Sequence, residues 1–332
     1  IQMTHDKPDA IVVEGLTKGF ETVAAVAGIA FRVRQGELFG FLGPNGAGKS
    51  TTINLLTGLA RPDAGSIRLG GIDCTRRARA AQHLIGVVPD ESNLYPELSG
   101  RDNLSFCGAL YGLPKREREA RAHELLEAFG LSDAAGRKFG GYSKGMKRRL
   151  TIAAGIIHRP QILFLDEPTT GLDVASARQL RQLIAELHRA GTTIFLTTHY
   201  IEEAERLCER IAFIVSGQIV RIDSIAQLLE PLQDRQRVRI TSRAGLNAVP
   251  GGLNAAFPEL DFRCPEPGVL QAETEAGVAL RVGAIVRWLE EQGIEVLEAR
   301  RLRPSLEEVF VRVTGIATDA MRQERERAGG DQ

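Results

Sequence analysis

The segment Glu37-Leu38-Phe39-Gly40-Phe41-Leu42, followed by Gly43-Pro44-Asn45-Gly46-Ala47-Gly48-Lys49-Ser50, decides how this chain folds. Residues 37–42 read as a strand from their apolar and aromatic content, and residues 51–59 as a helix. A glycine-rich loop between a strand and a helix is suited to anions. Its glycines let backbone N–H groups close around phosphates, and the helix N-terminus adds the positive end of its dipole. At this spacing Lys49 reaches the β- and γ-phosphate oxygens of a nucleotide, and Ser50 sets a hydroxyl on Mg²⁺. The competing reading is a plain glycine-rich turn, which the strand-loop-helix context argues against.

Outward from this loop, strands and helices alternate. Strands are expected at 10–13, 26–33, 84–88, 162–165, 193–197, 211–215 and 218–222, and helices at 101–110, 115–129, 144–157, 175–189 and from 201. The interleaving implies a parallel sheet covered on both faces. Pro231 is expected to stop a helix over 224–229, and beyond it the character changes. Strands at 237–241, 269–273 and 295–300 and an amphipathic helix at 276–292 suggest a small α+β unit. A last helix at 305–313 opens with Ser305 and Glu308 at capping-box spacing. Two domains are therefore expected, at 10–230 and 232–315, with a disordered tail at 316–332 whose apolar content is too low to fold.

The 332 residues carry 42 basic and 42 acidic side chains, so the formal net charge is zero. That balance argues against a nucleic-acid binder that relies on a large positive field. The most apolar stretch, 151–165, is interrupted by His158, Arg159 and Pro160 and falls short of the roughly 18 apolar residues of a spanning helix. Residues 1–9 lack a basic flank followed by an apolar run, so no signal peptide is expected and the cytoplasm is the expected compartment. Cys74, Cys107, Cys208 and Cys264 are widely separated and read as buried reduced thiols.

The run Ile162-Leu163-Phe164-Leu165 is an apolar strand that ends in Asp166 and Glu167. Ligands of an open parallel sheet sit beyond its C-terminal strand ends, so both carboxylates should arrive beside the phosphate loop. There Asp166 would hold Mg²⁺, and Glu167 would orient and deprotonate an attacking water. His199 also follows a strand, where a neutral imidazole can bond the γ-phosphate or that water. The other histidines have no such position.

With these residues in place, the chain resembles the ATP-binding subunits of ATP-binding-cassette (ABC) transporters. Tyr142-Ser143-Lys144-Gly145-Met146 is similar to the family signature, Thr170-Gly171-Leu172-Asp173 to its D-loop, and Thr198-His199 to its switch histidine. Phe20 matches the aromatic that stacks on adenine, and Gly43 through Thr51 match the nucleotide loop. The resemblance implies an α/β fold, an ABC-type P-loop ATPase cassette with a mostly parallel core sheet, an antiparallel β subdomain and a helical subdomain. To this a small α+β C-terminal domain would be added. It implies ATP and Mg²⁺ as cofactors, with Ser50, Asp90 and Asp166 toward the metal and Glu167, His199 and Lys49 as the catalytic set. Ser143, Lys144 and Gly145 would bind ATP held by a second copy, so that a homodimer makes complete sites.

Asp90 stands where the family has glutamine, and Lys144 replaces the first signature glycine. Asp can still serve a hard cation. One reading of the run Lys144, Lys147, Arg148, Arg149 is a solvated basic face. The signature variant, the stretch Thr197-Thr198-His199-Tyr200-Ile201-Glu202-Glu203-Ala204-Glu205 and the ending Arg303-Pro304-Ser305-Leu306-Glu307-Glu308-Val309-Phe310 resemble the daunorubicin-resistance branch of multidrug exporters. There the ATPase pairs with a separate transmembrane permease, which implies a peripheral place on the inner face of the membrane. Loop 91–98, with Tyr95 and Pro96, corresponds to the docking place of that permease. The alternatives are a soluble non-transport ABC ATPase and a nucleotide-dependent switch.

Overall fold

The computed structural model describes residues 7–233, 235–243, 248–274 and 277–316. The expected disordered tail lies outside them from residue 317 onward. Contacts divide the chain into two units. One runs to Ile225 and takes back the chain from Phe310, and the other is Ala226–Val309.

The first unit holds a six-stranded sheet in the order Gln218–Ser224, Arg210–Val215, Leu38–Leu42, Thr193–Thr198, Ile162–Asp166, Ile85–Val88. All neighbours are parallel except the outermost pair, Gln218–Ser224 with Arg210–Val215. Its central strands are buried along their whole length, as a sheet covered on both faces requires. Four adjacent parallel strands therefore end side by side, and the residues that follow them are Gly43, His199, Glu167 and Pro89.

A four-stranded antiparallel sheet packs against it, built on the long hairpin Asp9–Phe20 and Val23–Arg34. Sequence reading under-measures both strands, because glycines and exposed polar residues interrupt their apolar runs. It also misses Ala64–Leu69, Ile72–Asp73 and the helix Cys74–Gln82, whose apolar positions are too few to stand out. Phe31 of the hairpin joins Phe39, Phe41, Phe164 and Phe195 of the central sheet in one buried aromatic cluster, with contacting rings 5.4–5.8 Å apart. Helices Gly100–Leu110, Lys115–Ala128 and Lys144–Gly155 form the helical part.

The second unit carries an antiparallel sheet in the order Leu260–Glu266, Val269–Thr274, Arg237–Ser242, Val296–Leu302. Val238, Ile240, Phe262, Leu270 and Ala272 alternate onto one face and pack with Ile285 and Leu289 of helix Val282–Glu291. That helix begins later than the expected 276. Gly277 turns at φ 83° and Leu280 is buried in non-helical chain before the helix starts. Pro231 does not stop its helix, which runs Ile225–Gln233 with the proline in the last turn. All four cysteines are free. Cys74 and Cys208 are buried as expected, whereas Cys107 and Cys264 are half-buried.

Candidate functional site

Glycine is required at two places in the phosphate loop. Gly48 caps helix Lys49–Leu56 at φ 102°, and a Cβ there would lie 2.2 Å from the Ala25 carbonyl. A Cβ on Gly43 would lie 2.2 Å from the Ile214 carbonyl. The loop is thus pressed against its neighbours on one side and open on the other, where Asn45, Gly46 and Ser50 are exposed. Pro44 is half-buried, Ala47 is buried and Thr51 half-buried.

Lys49 is buried and folds back over the loop, its Nζ donating to the Gly43 carbonyl at 2.9 Å and to the Pro44 carbonyl at 3.0 Å. The same Nζ lies 3.2 Å from Oε1 of Glu167. Oε2 of that carboxylate takes a 2.7 Å bond from Nδ1 of His199 and a 3.2 Å bond from the Thr170 hydroxyl. Burial pushes the Glu167 carboxyl up, but the bond from His199 and the charge of Lys49 outweigh it and hold the carboxyl below the ordinary range. Glu167 is therefore ionised at neutral pH although it is buried.

Its backbone is held as firmly. Glu167 has φ 47°, a conformation that disfavours a side chain. Its N–H donates to the carbonyl and the hydroxyl of Thr197 at 3.1 and 3.2 Å. The Thr197 hydroxyl also donates to Oδ1 of Asp166 at 2.5 Å. Asp90 follows the edge strand, with its side chain about half exposed. Partial burial raises its carboxyl, Arg148 opposes that shift, and Glu167, Asp166 and Glu91 reinforce it.

Ser143 caps helix Lys144–Gly155, its hydroxyl accepting from the Met146 N–H at 3.3 Å. Gly145 lies against the next helix, where a Cβ would meet the Ser176 hydroxyl at 2.7 Å. Ser176 is bonded at 2.6 Å to Asp173, which caps that helix. The contacts of Ser143 and Gly145 run to these two helices rather than to the phosphate loop, and Lys144 is exposed. Phe20 is exposed at the hairpin end, with Lys18 Nζ 5.4 Å from its ring centre. Tyr95 is also exposed, edge-on to Phe106 at 5.2 Å, and its loop is fastened by Asn103, whose amide bonds Tyr95 at both N–H and carbonyl.

Arg148 corrects the sequence reading. It is buried, not part of a solvated face, and its guanidinium is surrounded by main-chain carbonyls. The usable signal was helical spacing, because Arg148 lies three and four residues before buried Thr151 and Ile152. Glu203, buried behind the site, and Thr197 were also passed over.

Residues 26–170 match the family model for ABC transporters. A daunorubicin resistance ATP-binding protein of Streptomyces coeruleorubidus is 39% identical, covering 92% of this chain and 96% of its own. The linearmycin resistance ATP-binding protein of Bacillus subtilis is 35% identical over 91% and 97% of the two chains. A fluoroquinolones export ATP-binding protein of Mycobacterium tuberculosis is 39% identical over 92% and 94%. Among solved structures, an ABC transporter ATP-binding subunit aligns at TM-score 0.61 and 29% identity, covering 67% of this chain and 93% of its own. A dimeric ATP-binding cassette bound to ADP and phosphate aligns at 0.60 and 26%, covering 65% and 98%.

The chain belongs to the ABC transporter family, as an ATP-binding subunit of the daunorubicin-resistance type. It is an ATPase that serves transport rather than a soluble non-transport ABC ATPase.

Proposed function

We propose that two copies of this chain enclose two ATP molecules, each between the phosphate loop of one copy and Ser143 to Gly145 of the other, and that hydrolysis drives export of a drug-like compound through a separate permease. The observation that carries this reading is the Glu167 carboxylate, ionised, buried and held between Lys49 and His199. Its oxygens are suited to take a proton from water, and a phosphate entering the loop competes with the carboxylate for Lys49. The main-chain N–H groups of Gly46 to Ser50 would bind the phosphates, Thr51 would extend that contact, and Phe20 would stack on the base. His199 donates to the carboxylate through Nδ1, which leaves Nε2 of the neutral ring as an acceptor for a proton of the attacking water, whereas a bond to the γ-phosphate would need the protonated ring. Asp173 positions Ser176 against Gly145 and so shapes the signature surface.

The all-oxygen set of Ser50, Asp90 and Asp166 has the chemistry a hard cation takes. Bound there with ATP, Mg²⁺ would neutralise charge on the β- and γ-phosphates. The names of the relatives support a drug-like cargo. Among the described residues no helix is long and apolar enough to cross a membrane. Attachment would be peripheral, through the permease, with Tyr95 offering the docking surface.

Glu167→Gln tests the reading. It is expected to bind ATP at near-parental affinity and to form a stable dimer, while turnover falls by about 10²–10⁴, the usual worth of a positioned base. Phosphate release and size-exclusion chromatography with ATP measure both. Parental turnover in this variant would remove Glu167 as the base.

A further inference from the structure

The two strands Ile85–Val88 and Ile162–Asp166 pair in parallel as far as Val88 and Leu165. There the ladder ends. Beyond that point the carbonyls of both chains need donors from elsewhere.

Arg148 supplies them. Its Nη1 donates to the carbonyls of Pro89 and, at 2.8 Å, Asp90. Its Nη2 donates to those of Asp166 and Glu167, each at 2.7 Å, and its Nε to that of Pro168 at 2.7 Å. A guanidinium has five N–H groups in a fixed plane, and here each has one carbonyl. The fork therefore closes the gap between two strand ends and grips the peptide on either side of Glu167. That grip matters because Glu167 sits at φ 47°, and such a backbone persists only where its surroundings over-determine it. Thr197 holds the N–H of Glu167, and Arg148 holds its carbonyl.

We propose that Arg148 is a positioning residue for ATP hydrolysis, whose planar fork fixes the left-handed peptide of Glu167 and thereby aims the carboxylate at the phosphate loop. The inference rests on Glu167 as the base. Charge alone does not meet the requirement. Lysine keeps the positive charge but has three donors on a single atom, so at least two of the five carbonyls lose their partner and the plane is lost.

The test compares full-length parental chain, Arg148→Lys, Glu167→Gln and the double variant. Arg148→Lys is expected to lower kcat about 10–100-fold while KM and the equilibrium affinity for MgATP stay within about threefold, since the phosphate loop is untouched. Thermal unfolding with and without MgATP identifies the folded fraction to which kcat is referred. In the double variant the residual turnover is expected to match Glu167→Gln within about threefold, because a residue that acts only through Glu167 has nothing further to lose. Three results overturn the proposal: parental kcat in Arg148→Lys, a fall that only follows the folded fraction, or losses that multiply in the double variant. Undiminished turnover in Glu167→Gln alone is a separate failure, that of the base assignment.

Discussion

His199 and Glu167 are joined by one bond, Nδ1 to Oε2 at 2.7 Å, and both residues are buried. Glu167 is thereby kept ionised in a place where burial alone would favour its neutral form. The bond requires the Nδ1–H tautomer of the imidazole, which is the arrangement that frees Nε2.

Removing that bond should change the pH profile as well as the rate. With the carboxyl held below its ordinary range, parental turnover is expected to persist down to about pH 5, since an ordinary glutamate titrates near 4.3. In His199→Ala the burial remains and the opposing bond is gone, so the acid limb of kcat moves to higher pH. Turnover should also drop by at least about tenfold at neutral pH. A kcat–pH titration of both proteins checks the shift, and an unmoved acid limb would contradict the role given to the imidazole.

Lys49→Ala is expected to fail earlier, at binding. A charge-assisted contact to phosphate is worth about 1.5–3 kcal/mol, so ATP affinity should fall roughly 10–150-fold. Titration with a fluorescent ATP analogue measures it. Affinity within twofold of the parental chain would place the phosphates elsewhere.

The two loop glycines Gly48 and Gly46 should respond differently to alanine. At Gly48 a Cβ meets the Ala25 carbonyl at 2.2 Å, whereas at Gly46, with φ 74°, nothing lies within 4 Å. Gly46→Ala should therefore cost only the left-handed conformation, about 1–2 kcal/mol. Gly48→Ala should cost more and weaken nucleotide binding with it. Urea denaturation of the two variants gives the comparison, and equal losses would count against the close approach.

Phe195 touches Phe31, Phe39, Phe41 and Phe164, and is fully buried. Truncation to alanine is expected to destabilise the first unit by about 3–5 kcal/mol. Equilibrium unfolding followed by near-ultraviolet circular dichroism would register it.

Glu203 is buried behind the site, close to the hydroxyls of Thr198 and Thr169. Burial pushes its carboxyl up, and the nearby Thr198 and Thr169 hydroxyls only partly offset this. A folded carboxyl raised above its unfolded value contributes stability at acid pH and loses it as pH rises through the folded pKa. Glu203→Gln, which cannot ionise, is expected to gain on the parental chain as pH rises from 5 to 8, by about 1–3 kcal/mol at the upper end. A flat difference across that range would mean Glu203 is not buried in its neutral form.

Local patterns on the chain were enough for the phosphate loop, the apolar strand ending in Asp166 and Glu167, and the histidine after Thr198, because each is a short run whose chemistry depends on neighbours in sequence. Alternation of strands and helices was enough for a parallel sheet. Boundaries were less legible. Glycines and polar residues broke the hairpin strands into short apolar runs, and Pro231 fell where a helix could absorb it. The Arg148 clamp was hidden in a basic run that looked solvent-facing.

What residue order specified on its own was a nucleotide loop, a pair of carboxylates and the family of ATPases to which they belong. Tertiary structure decided the working state of those groups. Glu167 owes its charge to His199, 32 residues away in sequence, and to Lys49, and its backbone to Thr197 and to Arg148, 19 residues before it. Burial, hydrogen-bond saturation and a left-handed φ are properties of juxtaposed strand ends, and no local pattern of residue types encodes which strand ends will meet.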